Sequence, residues 1–150
     1  MIANTGLEVI FSALIAALVA QMLKFIFYIT NKKNINFKIL TETGGMPSSH
    51  SAFVLALTTS VGIINGYRSI EFAIALGFSL VVMYDAAGLR RSAGKMAAVL
   101  NKIVDDIYTH QTRTSERLIE LLGHTPLEVI MGGLLGIVLA LAYHLVLIKY

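Results

Sequence analysis

Two histidines stand where an imidazole can do chemistry. His50 ends the run Gly44-Gly45-Met46-Pro47-Ser48-Ser49-His50, just ahead of an apolar stretch. Its glycines let the backbone turn tightly, and Pro47 can start a helix. The free amides at that helix start, with the Ser48 and Ser49 hydroxyls, would form an anion pocket beside His50. His124 stands in Gly123-His124-Thr125-Pro126-Leu127-Glu128, ahead of a second apolar stretch, where Glu128 could orient it as a nucleophile. A third cluster, Tyr84-Asp85-Ala86-Ala87-Gly88-Leu89-Arg90-Arg91, closes another apolar run. Paired guanidinium groups are planar forks of donors suited to phosphate. Asp85, disfavoured near a helix C-terminus, calls for a cationic partner such as Arg90 or Arg91.

Each cluster also has a plain structural account. The first can be a glycine-containing loop with serine caps, and the arginines can face anionic headgroups and set topology. Thr125 as N-cap, Pro126 as first helical residue and Glu128 as the third make a capping box, which accounts for all but His124. His110 and His144 match no motif and read as structural or solvated.

The elements that must hold these loops are membrane helices. Of 150 residues 56% are hydrophobic and 14% charged, and mean hydropathy is +0.73. Soluble domains carry about a quarter charged residues, and a disordered chain is poor in apolar ones. With no cysteine, a disulfide scaffold, a thiolate metal site and a cysteine nucleophile are excluded. A net charge of +3 hints at nucleic acid only in a soluble chain; here it reports topology, and no nucleic-acid partner is expected.

Crossing about 30 Å of hydrocarbon takes about 20 apolar residues. Four windows approach this: Leu7 to Ile29, Ser51 to Tyr67, Ile70 to Ala87 and Leu127 to Ile148, the second and third joined by a tight turn at Asn65-Gly66-Tyr67. Glu8, with no basic residue before the first window, is the wrong start for a cleaved signal peptide, so that window is expected to persist. Lys32, Lys33 and Lys38 follow the first window, and Arg90, Arg91, Lys95, Lys102, Arg113 and Arg117 follow the third, against only Arg68 and Lys149 on the other side. The positive-inside rule makes both long loops cytoplasmic and both termini external, in a bacterial inner membrane or a plastid membrane. Between the third and fourth windows, Ala93, Met96, Ala97, Leu100, Ile103, Val104 and Ile107 recur at helical spacing with polar residues between. This is an amphipathic helix, either in the interface or packed under the bundle. The expected fold is therefore all-α: one membrane-embedded domain over residues 1–150, with about four transmembrane helices and an amphipathic cytoplasmic helix. Gly62 to Gly66 and Gly132 to Gly136 are small-xxx-small patterns for close helix approach within a chain or across a homodimer.

Pro47-Ser48-Ser49-His50 resembles the Pro-Ser-Gly-His motif of the type 2 phosphatidic acid phosphatase and vanadium haloperoxidase superfamily, and His124 with Glu128 resembles its later His-x-x-x-Asp. The three longer strings resemble a divergent bacterial and plant branch related to it, the likeness covering roughly Gln21 to Gly136. The resemblance implies that His124 attacks phosphorus to give a phosphohistidine and that His50 protonates the leaving alkoxide. Glu128 would stand for the orienting aspartate, and Arg90, Arg91 and Lys24 would hold phosphate oxygens, with neither metal nor cofactor. Positioning and charge neutralisation carry most of phosphoryl transfer, so this set is physically coherent. The sequence departs at the phosphate-holding motifs. Asn31-Lys32 stands where the superfamily has Arg-Pro, and no Ser-Arg pair precedes His124 at the usual distance. Lys24 also reads as a lysine snorkelling from the first span, and Ser49 replaces a glycine.

These readings imply a membrane phosphatase whose substrate is a phospholipid with a phosphate monoester, of the phosphatidylglycerophosphate or phosphatidic acid type, hydrolysed at the cytoplasmic face. Two alternatives stay open: an isoprenyl diphosphate phosphatase, and a non-catalytic protein that binds or transports a phospholipid or anion.

Overall fold

A computed structural model describes residues 5–32, 45–107 and 124–148. They form five helices: α1 (Gly6–Lys32), α2 (Ser49–Asn65), α3 (Ile70–Ala87), α4 (Leu89–Ile107) and α5 (Pro126–Ile148). α1, α3 and α5 are long and apolar enough to cross a membrane. α2 is helical where the second window lies, but with 17 residues it extends only about 25 Å at 1.5 Å per residue. Its limits come from its caps. Ser48 caps the start, and Gly66, at φ 92°, ends it with its N–H bonded to the Gly62 carbonyl. Pro47 precedes the cap instead of opening the helix, its peptide bond to Met46 being cis.

α2 is the hub, packed against α1, α3 and α5, while α1 also meets α5. The arrangement inverts a soluble core. Ala16, Ala20, Ala52, Ala56 and Ala140 are fully buried in one cluster, whereas Leu18, Met22, Ile74, Val81, Val138 and Leu145 point outward. Small residues inside let backbones approach, and large apolar residues outside suit a hydrocarbon solvent. Gly132 and Gly136 take this furthest. A Cβ on Gly132 would lie 2.2 Å from the Ser48 carbonyl oxygen, and one on Gly136 equally close to that of Ala52. This small-xxx-small pair thus serves packing within one chain. Gly62 instead makes room for the Tyr67 ring at the α2–α3 turn.

Inside an apolar bundle a few hydroxyls fix the register. The Ser60 hydroxyl donates to Ser12 across α2 and α1 at 3.0 Å. Thr58 and Ser79 bond across α2 and α3 at 2.7 Å, and Ser79 also donates to the Val54 carbonyl. At one end of the bundle Glu8 of α1 meets His144 of α5 at 2.8 Å, so the start of α1 and the end of α5 lie together. The starts of α2 and α5 and the ends of α1 and α3 then share the opposite end.

Candidate active site

The three motif clusters meet at that opposite end through backbone ties. The Ser48 N–H donates to the Glu128 carbonyl at 3.1 Å, and the His124 N–H to the Ala86 carbonyl at 3.0 Å. The first bond joins the entry of α2 to the first turn of α5. The second uses a carbonyl at the end of α3, which has no partner within its helix. His124 is thus seated between the end of α3 and the start of α5.

The capping box forms as the sequence indicates. The Glu128 N–H meets the Thr125 hydroxyl at 3.3 Å, and Glu128 Oε2 accepts from the Thr125 N–H at 3.1 Å. The same oxygen lies 3.1 Å from His124 Nδ1. A carboxylate only accepts, so Nδ1 is the donor in this contact, and Nε2 is the ring nitrogen that Glu128 does not hold. The His50 ring approaches that of His124 edge-on, with centroids 6.2 Å apart. The two differ in access: His124 is 4% exposed, whereas His50 stands on the surface.

Lys24 is buried, and its stem lies along Gly45: a Cβ there would be 3.2 Å from Lys24 Cε. Of the two readings of Lys24, a snorkelling lysine at a span end and a residue holding phosphate oxygens, burial beside the motif loop fits a place within the site. Gly45 has φ 86°, a backbone conformation that favours glycine. Ser48 is fully buried, and its Oγ accepts from the Ser51 hydroxyl at 3.1 Å and, more weakly at 3.4 Å, from the Ser51 N–H. Its hydroxyl is engaged in capping, leaving Ser49, half-buried, nearer the open side. The amides of Ser49 and His50 open α2, so the positive ends of α2 and α5 converge here. Asp85 is half-buried in the last turn of α3. The side chains of Arg90 and Arg91 lie outside the described residues, and the expected pairing of Asp85 with either lies there too. Gly44, His110, Arg117 and Gly123 also fall outside.

Beside His50 an apolar cleft of about 480 Å³ opens between α1 and α3, with α2 as its floor. Leu14 and Leu18 line one wall, Phe78 and Val82 the other, with Phe53 below and Gln21, Ser49 and His50 at the site end. No local pattern marks this cleft, because its walls belong to separate helices that both pack on α2. Nor did it reveal the ties through Ala86 and Glu128, which use backbone atoms common to every residue.

Fold and site define a helical membrane protein with a carboxylate-held histidine and a second histidine at the convergence of two helix N-termini. Residues 5–139 match the Divergent PAP2 family, and the chain belongs to it. It is 40% identical over 141 residues to the Uncharacterized membrane protein YuiD of Bacillus subtilis (strain 168), covering 87% of this chain and 89% of that protein. No solved structure matches it.

Proposed function

We propose that the chain is a lipid phosphatase that hydrolyses a phosphate monoester at the cytoplasmic face through a phosphohistidine. The observation that carries this reading is the triple His50, His124 and Glu128. Glu128 Oε2 stands 3.1 Å from His124 Nδ1, and the His50 ring lies edge-on to that of His124. Anion binding alone needs no such pair, whereas nucleophilic catalysis needs a base-like nitrogen held in one tautomer and a proton donor beside it.

His124 Nε2 attacks phosphorus as the bond from phosphorus to the alkoxide breaks, and His50 gives that alkoxide its proton. Water then attacks the phosphohistidine while His50 takes the water's proton, releasing phosphate and restoring both rings. The two helix starts and the Lys24 ammonium offset the charge on the phosphoryl oxygens, with Arg90 and Arg91 as further candidates. The cleft favours a lipid over a soluble ester, since its apolar walls accept a hydrocarbon chain while the headgroup phosphate reaches His50. Phosphatidic acid or phosphatidylglycerophosphate fits one chain in that cleft and a terminal phosphate.

Phosphate release from a panel of lipid phosphates, with EDTA present, tests this in wild type and His124→Ala. Release by the wild type alone is the expected result. No release from any lipid, with phospholipid binding intact in both proteins, returns the chain to a binding or transport role.

A further inference from the structure

α4 leaves the membrane domain in a way that defines three faces. It starts at Leu89, with only Gly88 between it and the end of α3, on the end of the bundle that carries His50 and His124. At about 100° per residue, Met96, Val99, Leu100 and Ile103 fall in one stripe, and all four are exposed, from 46% to 61%. Gly94, Ala97 and Asn101 fall in a second, which is buried in the protein. Lys95 and Lys102 lie on the far side of the apolar stripe from the buried one, and both are exposed.

Four large apolar side chains in one exposed row, on a helix already seated by another face, need a cover. The row lies on the helix that follows α3, whose outward-facing residues Val81 and Tyr84 are among the most exposed. α4 itself carries Arg90, Arg91, Lys95 and Lys102 against Asp105 and Asp106. A basic helix with an apolar row at the edge of a membrane-crossing helix matches an anionic leaflet in both hydrophobicity and charge.

We infer that α4 is an interfacial helix that docks on anionic phospholipid, with Met96, Val99, Leu100 and Ile103 in the acyl-chain boundary and Lys95 and Lys102 at the headgroups. Lysine stems of that length run along the apolar edge while the ammonium reaches phosphate. This docking is separate from catalysis and does not depend on turnover.

The chain has no tryptophan and no cysteine, so single reporters are unambiguous. Full-length Val99→Trp, reconstituted in vesicles of phosphatidylcholine and phosphatidylglycerol, is quenched by lipids brominated in the upper acyl chain. At equal mole fraction, brominated phosphatidylglycerol quenches more than brominated phosphatidylcholine, and Lys95→Glu with Lys102→Glu abolishes that preference while quenching persists. Leu100→Trp repeats the measurement should Val99→Trp fold poorly. Absence of quenching from both reporters overturns the inference. So does equal quenching by the two lipids with the lysines intact, and so does a Met96→Cys disulfide between copies in place of quenching, which would make a second copy the cover.

Discussion

Each end of the bundle carries one histidine–carboxylate pair. At one end His124 and Glu128 stand at 3.1 Å, with side chains 5% and 20% exposed; at the other His144 and Glu8 stand at 2.8 Å, 4% and 5% exposed. By distance alone the second is the better pair. It differs in its surroundings. Glu8 sits in the first turn of α1 and His144 near the end of α5, so the helix dipoles favour a negative and a positive group there. His144 Nε2 has no hydrogen-bond partner among the described residues, and the ring near it belongs to Tyr143. At the first end a second histidine, a cleft and two helix starts surround the pair. A histidine held by a carboxylate is thus a clamp between helices at one end and a candidate catalyst at the other, and the neighbours make the difference.

The largest expected effect separates the two directly. His124→Ala removes the proposed nucleophile and brings lipid phosphate release to background, with the detergent-solubilised protein still folded. His144→Ala takes from Glu8 its imidazole partner, which costs about 1–3 kcal/mol for a buried polar group. It lowers the thermal midpoint while leaving turnover of the folded fraction intact. Equal loss of turnover in both would erase the distinction between the ends.

His50→Ala comes next. Loss of a general acid costs about 10²–10⁴-fold in rate, and the loss shrinks for an ester whose leaving group is acidic enough to depart without a proton. The proposed mechanism calls for a bell-shaped dependence of rate on pH, and His50→Ala is expected to lose one limb of it. An unchanged profile in His50→Ala would leave that histidine outside the reaction and make the two ends more alike.

Gly132→Ala and Gly136→Ala sharpen the comparison by packing. Each new Cβ would collide with a backbone oxygen at the start of α2, where nothing flexible can give way. Overpacking of this kind costs about 1–3 kcal/mol. Gly132→Ala presses on Ser48 and so on its bond to Glu128, and is expected to lower both the midpoint and the rate. Gly77→Ala, with open space around it, is the control that changes neither.

What the sequence shows and hides follows the range of the interactions. The extent of α3, the capping box of Thr125 with Glu128 and the meeting of three loops were legible, because apolar length, capping spacing and the alternation of spans are local signals. Glu8 entered only as a residue that argued against a signal peptide, and His144 only as a histidine without a motif. Their pairing joins the two ends of the chain, and no local pattern encodes it. Lys24 read equally well as snorkelling or phosphate-holding, since only the path of the Gly45 loop over its stem decides that it is buried. Ser12 and Ser60, likewise, are single hydroxyls in apolar windows until the helices bring them within bonding distance.

The smallest contrast isolates capping from chemistry. Ser69 caps α3 at the clamp end, accepting from the Phe72 N–H at 3.1 Å, and Thr125 caps α5 at the site end. Replacing either with alanine costs about 1 kcal/mol of helix stability, so the two variants should melt alike. Their rates should differ. Glu128 Oε2 serves both the Thr125 N–H and His124 Nδ1. A frayed first turn in Thr125→Ala therefore loosens the carboxylate that holds the imidazole, and turnover falls while that of Ser69→Ala stays at the wild-type level. If both variants kept full activity, the capping box and the hold on His124 would be independent, and Glu128 would owe its place to helix initiation alone.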